Sequence, residues 1–180
     1  MPRKPREDVE PGIFHVFARG YGKLPIFRDR EDREVYLRLL GETIAALNWR
    51  CLAFCLMDNH VHLVIAVDEA NLGAGMQRLH GGYAQKFNLR HGRIGHLFQG
   101  RYGAVRIRSD EQLWAVVNYV VNNPVEAGLC QAPEEWPWSS HAAVLDGGAP
   151  VWLDVDGLLG WYSSGNGDPL SRYRDYCGVT

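Results

Sequence analysis

The pair His60-Val61-His62 has the plainest capacity for chemistry in this 180-residue sequence. Alternate side chains of a β-strand share a face, so both imidazoles project to one side with Cα atoms about 6.5–7 Å apart. Two neutral imidazoles so placed can converge on one divalent cation, and a bound cation polarises a phosphoryl oxygen. Taken alone, the pair also fits a merely polar strand surface. Tyr119 and Asn123 are four residues apart, hence stacked on one face of a helix. Tyr119 lies at the margin of an apolar stripe of Leu113, Val116, Val117 and Val120, where its ring can be anchored while its hydroxyl meets a site. Asn123 can offer a carbonyl oxygen as a third metal ligand one turn away. Packing would account for the tyrosine by itself, and a helix stop before Pro124 would account for the asparagine.

One reaction joins these parts. A phenol is protonated at neutral pH and is a poor nucleophile without help. A cation that withdraws charge from a phosphodiester lowers the barrier to its attack. The product, a phosphotyrosine diester, keeps the energy of the cleaved linkage, so rejoining needs no ATP, and the sequence contains no P-loop motif. Two other metal-hydrolase readings fail. A TIM barrel typically needs about 250 residues. A binuclear zinc site would want further ligands soon after the pair, where Leu63-Val64-Ile65-Ala66 stands instead.

The elements that must position these residues follow from the hydrophobic pattern. Ile13–Arg19 reads as a first strand, closed by Gly20-Tyr21-Gly22. Asp29 is placed to cap a helix with Tyr36, Leu40, Ile44 and Leu47 on one side. Arg50–Met57 and His60–Val67 read as strands of a hairpin whose turn residues, Asp58-Asn59, tolerate positive φ. A second helix is expected over Leu72–Leu89, with Leu72, Met76, Leu79, Tyr83 and Phe87 in a stripe. A strand near Tyr102–Arg108 precedes a third helix that opens on Ser109-Asp110-Glu111-Gln112 and is expected to stop near Asn123, ahead of Pro124. This order predicts an α+β, ferredoxin-like split-βαβ domain with an added C-terminal helix carrying the tyrosine. The catalytic domain is expected over 1–146, with 147–180 a C-terminal extension wrapping it.

Charge separates along the chain. Residues 1–108 hold 17 Lys and Arg against 11 Asp and Glu, whereas 109–180 hold 2 against 10. No acid occurs from Ala70 to Ser109, a window containing seven basic residues. A basic field of this kind suits a polyphosphate partner. Candidate phosphate holders are Arg19, Lys86, Arg93, Arg101, Arg106 and Arg108, and Tyr102 and Phe98 are candidates for stacking on unpaired bases. His15, His80, His91, His96 and His141 lack a partner at metal-ligand spacing and read as structural or solvated. The charged start Met1–Arg6 is no secretory signal, and no apolar run reaches the roughly 20 residues of a membrane helix. Cys51 and Cys55 read as core residues without a CxxC pair, so the expected setting is cytoplasmic.

Four segments resemble the REP-associated tyrosine transposases, within the single-tyrosine HUH transposases. They are Met57–Leu63, Gly95–Tyr102, Tyr119–Gly128 and Trp136–Ser140, in the family's order. The resemblance implies that His60 and His62 ligate Mg²⁺ or Mn²⁺ and that Tyr119 is the nucleophile. It implies cleavage and rejoining of single-stranded DNA through a 5′-phosphotyrosine with a free 3′-hydroxyl, on palindromic repeats that fold into hairpins. The protein would act as a monomer or homodimer. Relatives of the wider group carry Gln where Asn123 stands. The rival readings are a non-catalytic DNA-binding regulator on the same fold and a metal-dependent hydrolase of small phosphoesters.

Overall fold

Four strands form one antiparallel sheet in the order β2-β3-β1-β4: β1 (Gly12–Arg19), β2 (Arg50–Leu56), β3 (His60–Val67) and β4 (Gly103–Ile107). Helix α1 (Arg30–Leu47) connects β1 to β2, and α2 (Leu72–Arg90) connects β3 to β4. This is the expected split-βαβ arrangement. The computed structural model describes residues 10–163 and 167–178, so the charged start at Met1–Arg6 lies outside the described residues. No described helix is long and apolar enough to cross a membrane.

The strand period of two divides the sheet into two unlike faces. Phe14, Val16, Ala18, Val61, Leu63 and Ile65 are buried on one of them. There they meet α1 and α2, whose stripes Tyr36, Leu40, Ile44 and Leu72, Met76, Leu79, Tyr83, Phe87 are buried as the spacing predicts. Asp29 caps α1 by accepting from the Asp32 amide at 3.0 Å. Gly75 of α2 is required by close packing, because a Cβ there would lie 2.1 Å from the Trp49 ring.

The other face carries His15, Phe17, Arg19, His60, His62 and Val64, by the pairing Arg19↔His60, Phe17↔His62 and His15↔Val64. Helix α3 (Asp110–Glu126) packs over its β2–β3 half through Leu113, Val117, Val120 and Val121. Ser109 caps α3 by accepting from the Gln112 amide at 3.2 Å. The expected stop at Asn123 is not observed: α3 runs through Pro124 to Glu126. Proline there costs only one late hydrogen bond, and the next carbonyls are used, with Ala127 N–H donating to Asn123 and Leu129 N–H to Pro124.

The β2–β3 turn also differs in mechanism from expectation. Neither Asp58 nor Asn59 has positive φ, so their left-handed tolerance is unused. The turn is held from outside instead. The Asp58 carbonyl accepts from Ile26 and Phe27, the Asn59 carbonyl accepts from Gly20, and Arg33 is ion-paired to the Asp58 carboxylate. The Arg33 guanidinium is in turn packed over the rings of Phe27, Trp136 and Trp138.

Trp136–Ser140 seals the outer edge of β2. Leu56 N–H donates to the Trp138 carbonyl at 2.8 Å, Trp136 Nε1 donates to the Leu56 carbonyl at 3.1 Å, and Phe54 N–H donates to Ser140 Oγ at 3.1 Å. Beyond it come three short helices, α4 (Ser140–Asp146), α5 (Val155–Gly160) and α6 (Pro169–Cys177). Asn118 and Asn122 of α3 donate side-chain N–H groups to the carbonyls of Tyr176 and Cys177, tying α6 to the helix that carries Tyr119.

Candidate active site

Strand β3 presents His60 and His62 on the face that α3 covers, with ring centroids 5.0 Å apart and planes nearly perpendicular. Tyr119 stands over this pair from α3, its ring edge-to-face with that of His62 at 5.3 Å between centroids. One helical turn on, the Asn123 carboxamide oxygen lies 3.0 Å from His60 Nε2. Residues 57 to 63 positions apart in sequence thus meet within one chain because the apolar side of α3 docks on β2 and β3. Tyr119 remains 41% exposed, so part of it is open to a large partner, whereas His62 is 6% exposed.

A fifth residue belongs to the cluster. His15 was expected to be structural or solvated, but β1 pairs antiparallel with β3 and brings it to the same face. Its Nε2 lies 3.0 Å from His62 Nδ1, and its ring lies 6.0 Å from that of Tyr119. Sequence spacing gave no signal of this, because the register between strands 47 residues apart sets the contact. The other four histidines stay outside the cluster. His80 bonds to the Tyr36 hydroxyl, His141 to the Tyr173 hydroxyl and His91 to Asp32, and His96 is exposed.

The environment keeps the imidazoles neutral. Burial pushes His62 down to about 3, with repulsion from His15, His60 and Arg19 adding to it. Burial also lowers His60, partly offset by its hydrogen bond to Asn123, and lowers His15. Neutral imidazole is the form that ligates a metal. Each ring also has an orienting partner on its far nitrogen: Asn59 Oδ1 lies 2.7 Å from His60 Nδ1, and His15 holds His62 Nδ1. His62 Nε2 is buried with no hydrogen-bond partner among the described residues. A lone imidazole nitrogen withdrawn from water costs free energy unless something meets it, so these donors fit a cation. Among the described residues no three His, Cys, Asp or Glu side chains gather as a metal set. The other oxygen beside the pair is that of the Asn123 amide, next to His60 Nε2.

The basic candidates divide. Arg19 is exposed at the end of β1 directly opposite His60, and Arg101 lines a shallow groove with Phe17, Arg19 and Gly103. Arg108 is exposed where β4 passes into α3. Arg106 pairs opposite Phe14 and so lies on the other sheet face, ion-paired to Glu10 at 3.2 Å and donating to the Pro11 carbonyl. Lys86 and Arg93 belong to the α2 layer on that same far side, with Arg93 packed over Phe87. The structure does not bring these three to the histidines. Tyr102 is buried on the α2 side, near Gly73, and Phe98 stacks on His80 at 4.3 Å. Tyr119 and, unforeseen from the sequence, Phe17 are exposed aromatics among the described residues beside His15 and His62.

Comparison with known proteins agrees with this architecture. One solved structure, a REP-associated tyrosine transposase bound to a REP hairpin, overlaps 84% of this chain and 90% of its own at a TM-score of 0.61 and 17% identity. At that identity the likeness is one of fold. A transposase candidate from Deinococcus radiodurans R1 overlaps 69% of this chain and 96% of its own, at 15% identity and a TM-score of 0.46, too loosely to compare sites. No curated protein sequence matches. The family model described as "Transposase IS200 like" matches residues 12–123, from the first residue of β1 to Asn123. The chain belongs to the IS200-like transposase family.

Proposed function

We propose that this protein cleaves and rejoins single-stranded DNA, with Tyr119 as nucleophile and His60, His62 and Asn123 as ligands of one Mg²⁺ or Mn²⁺ ion. The observation that carries the reading is the meeting of Tyr119 with His62, whose Nε2 is buried with no hydrogen-bond partner among the described residues, beside His60 and Asn123. When bound, the cation would draw charge from the scissile phosphate and so favour attack on phosphorus.

The chain's own residues do the rest. Asn59 and His15 fix the imidazole planes, so that the Nε2 atoms of His60 and His62 are the ones available as ligands. Arg19, opposite His60, and Arg101 in the adjacent groove hold backbone phosphates. The Tyr119 oxygen gives up its proton and bonds to phosphorus as the P–O3′ bond breaks. The departing 3′ oxygen takes up a proton. The strand is left with a free 3′-hydroxyl and a 5′-phosphate on Tyr119. Attack by a 3′-hydroxyl on that diester reverses the step without an energy source. The related structure's REP hairpin favours a hairpin-forming strand as substrate.

The test is incubation with an end-labelled hairpin oligonucleotide bearing single-stranded flanks, with and without Mn²⁺. A denaturation-resistant protein–DNA complex is expected with Mn²⁺ and absent with EDTA. The Tyr119→Phe variant should bind the strand with similar affinity and form no such complex. DNA binding without any covalent complex would favour a regulator over an enzyme. Turnover of a nucleotide monomer without a DNA complex would favour a phosphoesterase.

A further inference from the structure

Phe17 has no role in the chemistry above, yet it lies within it. Its ring is 5.3 Å from that of His15 and 6.4 Å from that of His62, on the part of the sheet face that α3 leaves uncovered. It pairs directly opposite Gly103 of β4, and a Cβ on Gly103 would lie 2.3 Å from the Phe17 ring. The ring is therefore laid across the glycine backbone. Packing over a cross-strand glycine accounts for one side of the ring. It does not account for the other, since Phe17 is 40% exposed, and Val105 and Tyr119, which flank His15 beside it, are 49% and 41% exposed. An apolar patch beside a reaction centre marks a surface with a partner.

The groove around Phe17 decides which partner. Its lining includes Arg19, Arg101, Gln99 and Gly103, so an apolar floor is bordered by guanidinium groups and a carboxamide. Alternating aromatic and basic contacts are how sequence-tolerant sites hold single strands, with bases on the rings and phosphates on the cations. The patch is also continuous with the catalytic cluster through His15, whose ring contacts those of Phe17, His62 and Tyr119. We infer that Phe17 is a stacking platform for an unpaired nucleobase adjacent to the phosphate that Tyr119 attacks. Gly103 is the residue that lets the platform lie flat. The inference rests on the reading of the chain as a single-stranded DNA enzyme and adds where a base is gripped.

The experiment compares two labelled probes of equal length and equal phosphate count, an oligothymidylate and a fully abasic strand, by fluorescence anisotropy at one salt concentration. Wild-type protein should bind the thymidylate more tightly. Phe17→Ala should lose roughly tenfold on the thymidylate, the scale of one base–aromatic contact, and keep its affinity for the abasic strand. Phe17→Trp should retain the preference, and Phe17→Leu should behave as the alanine variant does. Equal affinities of Phe17→Ala and wild type, or an equal loss on both probes, would overturn the platform while leaving the function intact. A change in sedimentation in Phe17→Ala would overturn it in favour of a contact between two copies of this chain. Failure of the wild-type protein to bind either strand would overturn both readings.

Discussion

His15 Nε2 lies 3.0 Å from His62 Nδ1, so a residue of β1 fixes the ring orientation of a residue of β3 whose other nitrogen is buried without a partner among the described residues. If His62 Nδ1 donates to His15, the lone pair at Nε2 is free for a cation. Orienting partners of this kind typically carry about 10- to 100-fold of metal affinity. His15→Ala should weaken Mn²⁺ binding by about that factor, read by calorimetric titration of the protein without DNA. His15→Gln, which can still accept from Nδ1, should recover part of the loss. Equal losses in both variants would mean that His15 only packs.

Two glycines of α2 test the packing between the helical layer and the sheet. In an exposed helix interior, Gly→Ala gains about 1 kcal/mol. Gly81 has nothing within 4 Å of an added Cβ, so Gly81→Ala should stabilise the fold by that amount, read as a higher urea midpoint at unchanged m. Gly75 meets the buried Trp49 ring, itself fixed by donation from Nε1 to Asn71 Oδ1 at 2.6 Å. Overpacking costs about 1–3 kcal/mol, more than the propensity gain, so Gly75→Ala should lower the midpoint. A stabilised Gly75→Ala would contradict the contact.

Acid should weaken the fold through histidines buried neutral. His80, bonded to the Tyr36 hydroxyl, is pushed by burial from 6.5 to about 3. A depressed folded pKa means that the unfolded chain binds the proton first. The stabilisation is therefore complete above about 6.5 and is lost as pH falls toward 3, by about 1.4 kcal/mol per pH unit per group. Urea unfolding at pH 7.5, 6 and 5 should show this decline. His80→Gln should make the slope shallower by one proton, and an unchanged slope would remove His80 from the account.

Much of this site was legible because its geometry is local. A strand period of two places His60 and His62 together, and a helix turn places Tyr119 above Asn123, whatever the tertiary fold. The ferredoxin-like element order also follows from the apolar pattern. What depends on register was not legible. His15 meets His62 only because β1 and β3 pair as they do. The basic window was counted along the chain, whereas the sheet sorts it by face: Arg106 goes to the far side with Phe14, and Lys86 and Arg93 stay with α2. Asp58-Asn59 marked the right turn for another reason, since Arg33 and the carbonyl contacts hold it without positive φ.

On the proposed mechanism Tyr119 joins to DNA beside the His60–His62 pair of its own chain, and mass mapping of the covalent complex locates that bond. After reaction with a single-stranded hairpin substrate and Mn²⁺, protease digestion should yield one peptide carrying a nucleotide, with the phosphate on Tyr119. Mixing Tyr119→Phe with His60→Ala/His62→Ala protein should restore no complex if each chain serves itself. A nucleotide mapped to another residue, Tyr102 included, would contradict the account.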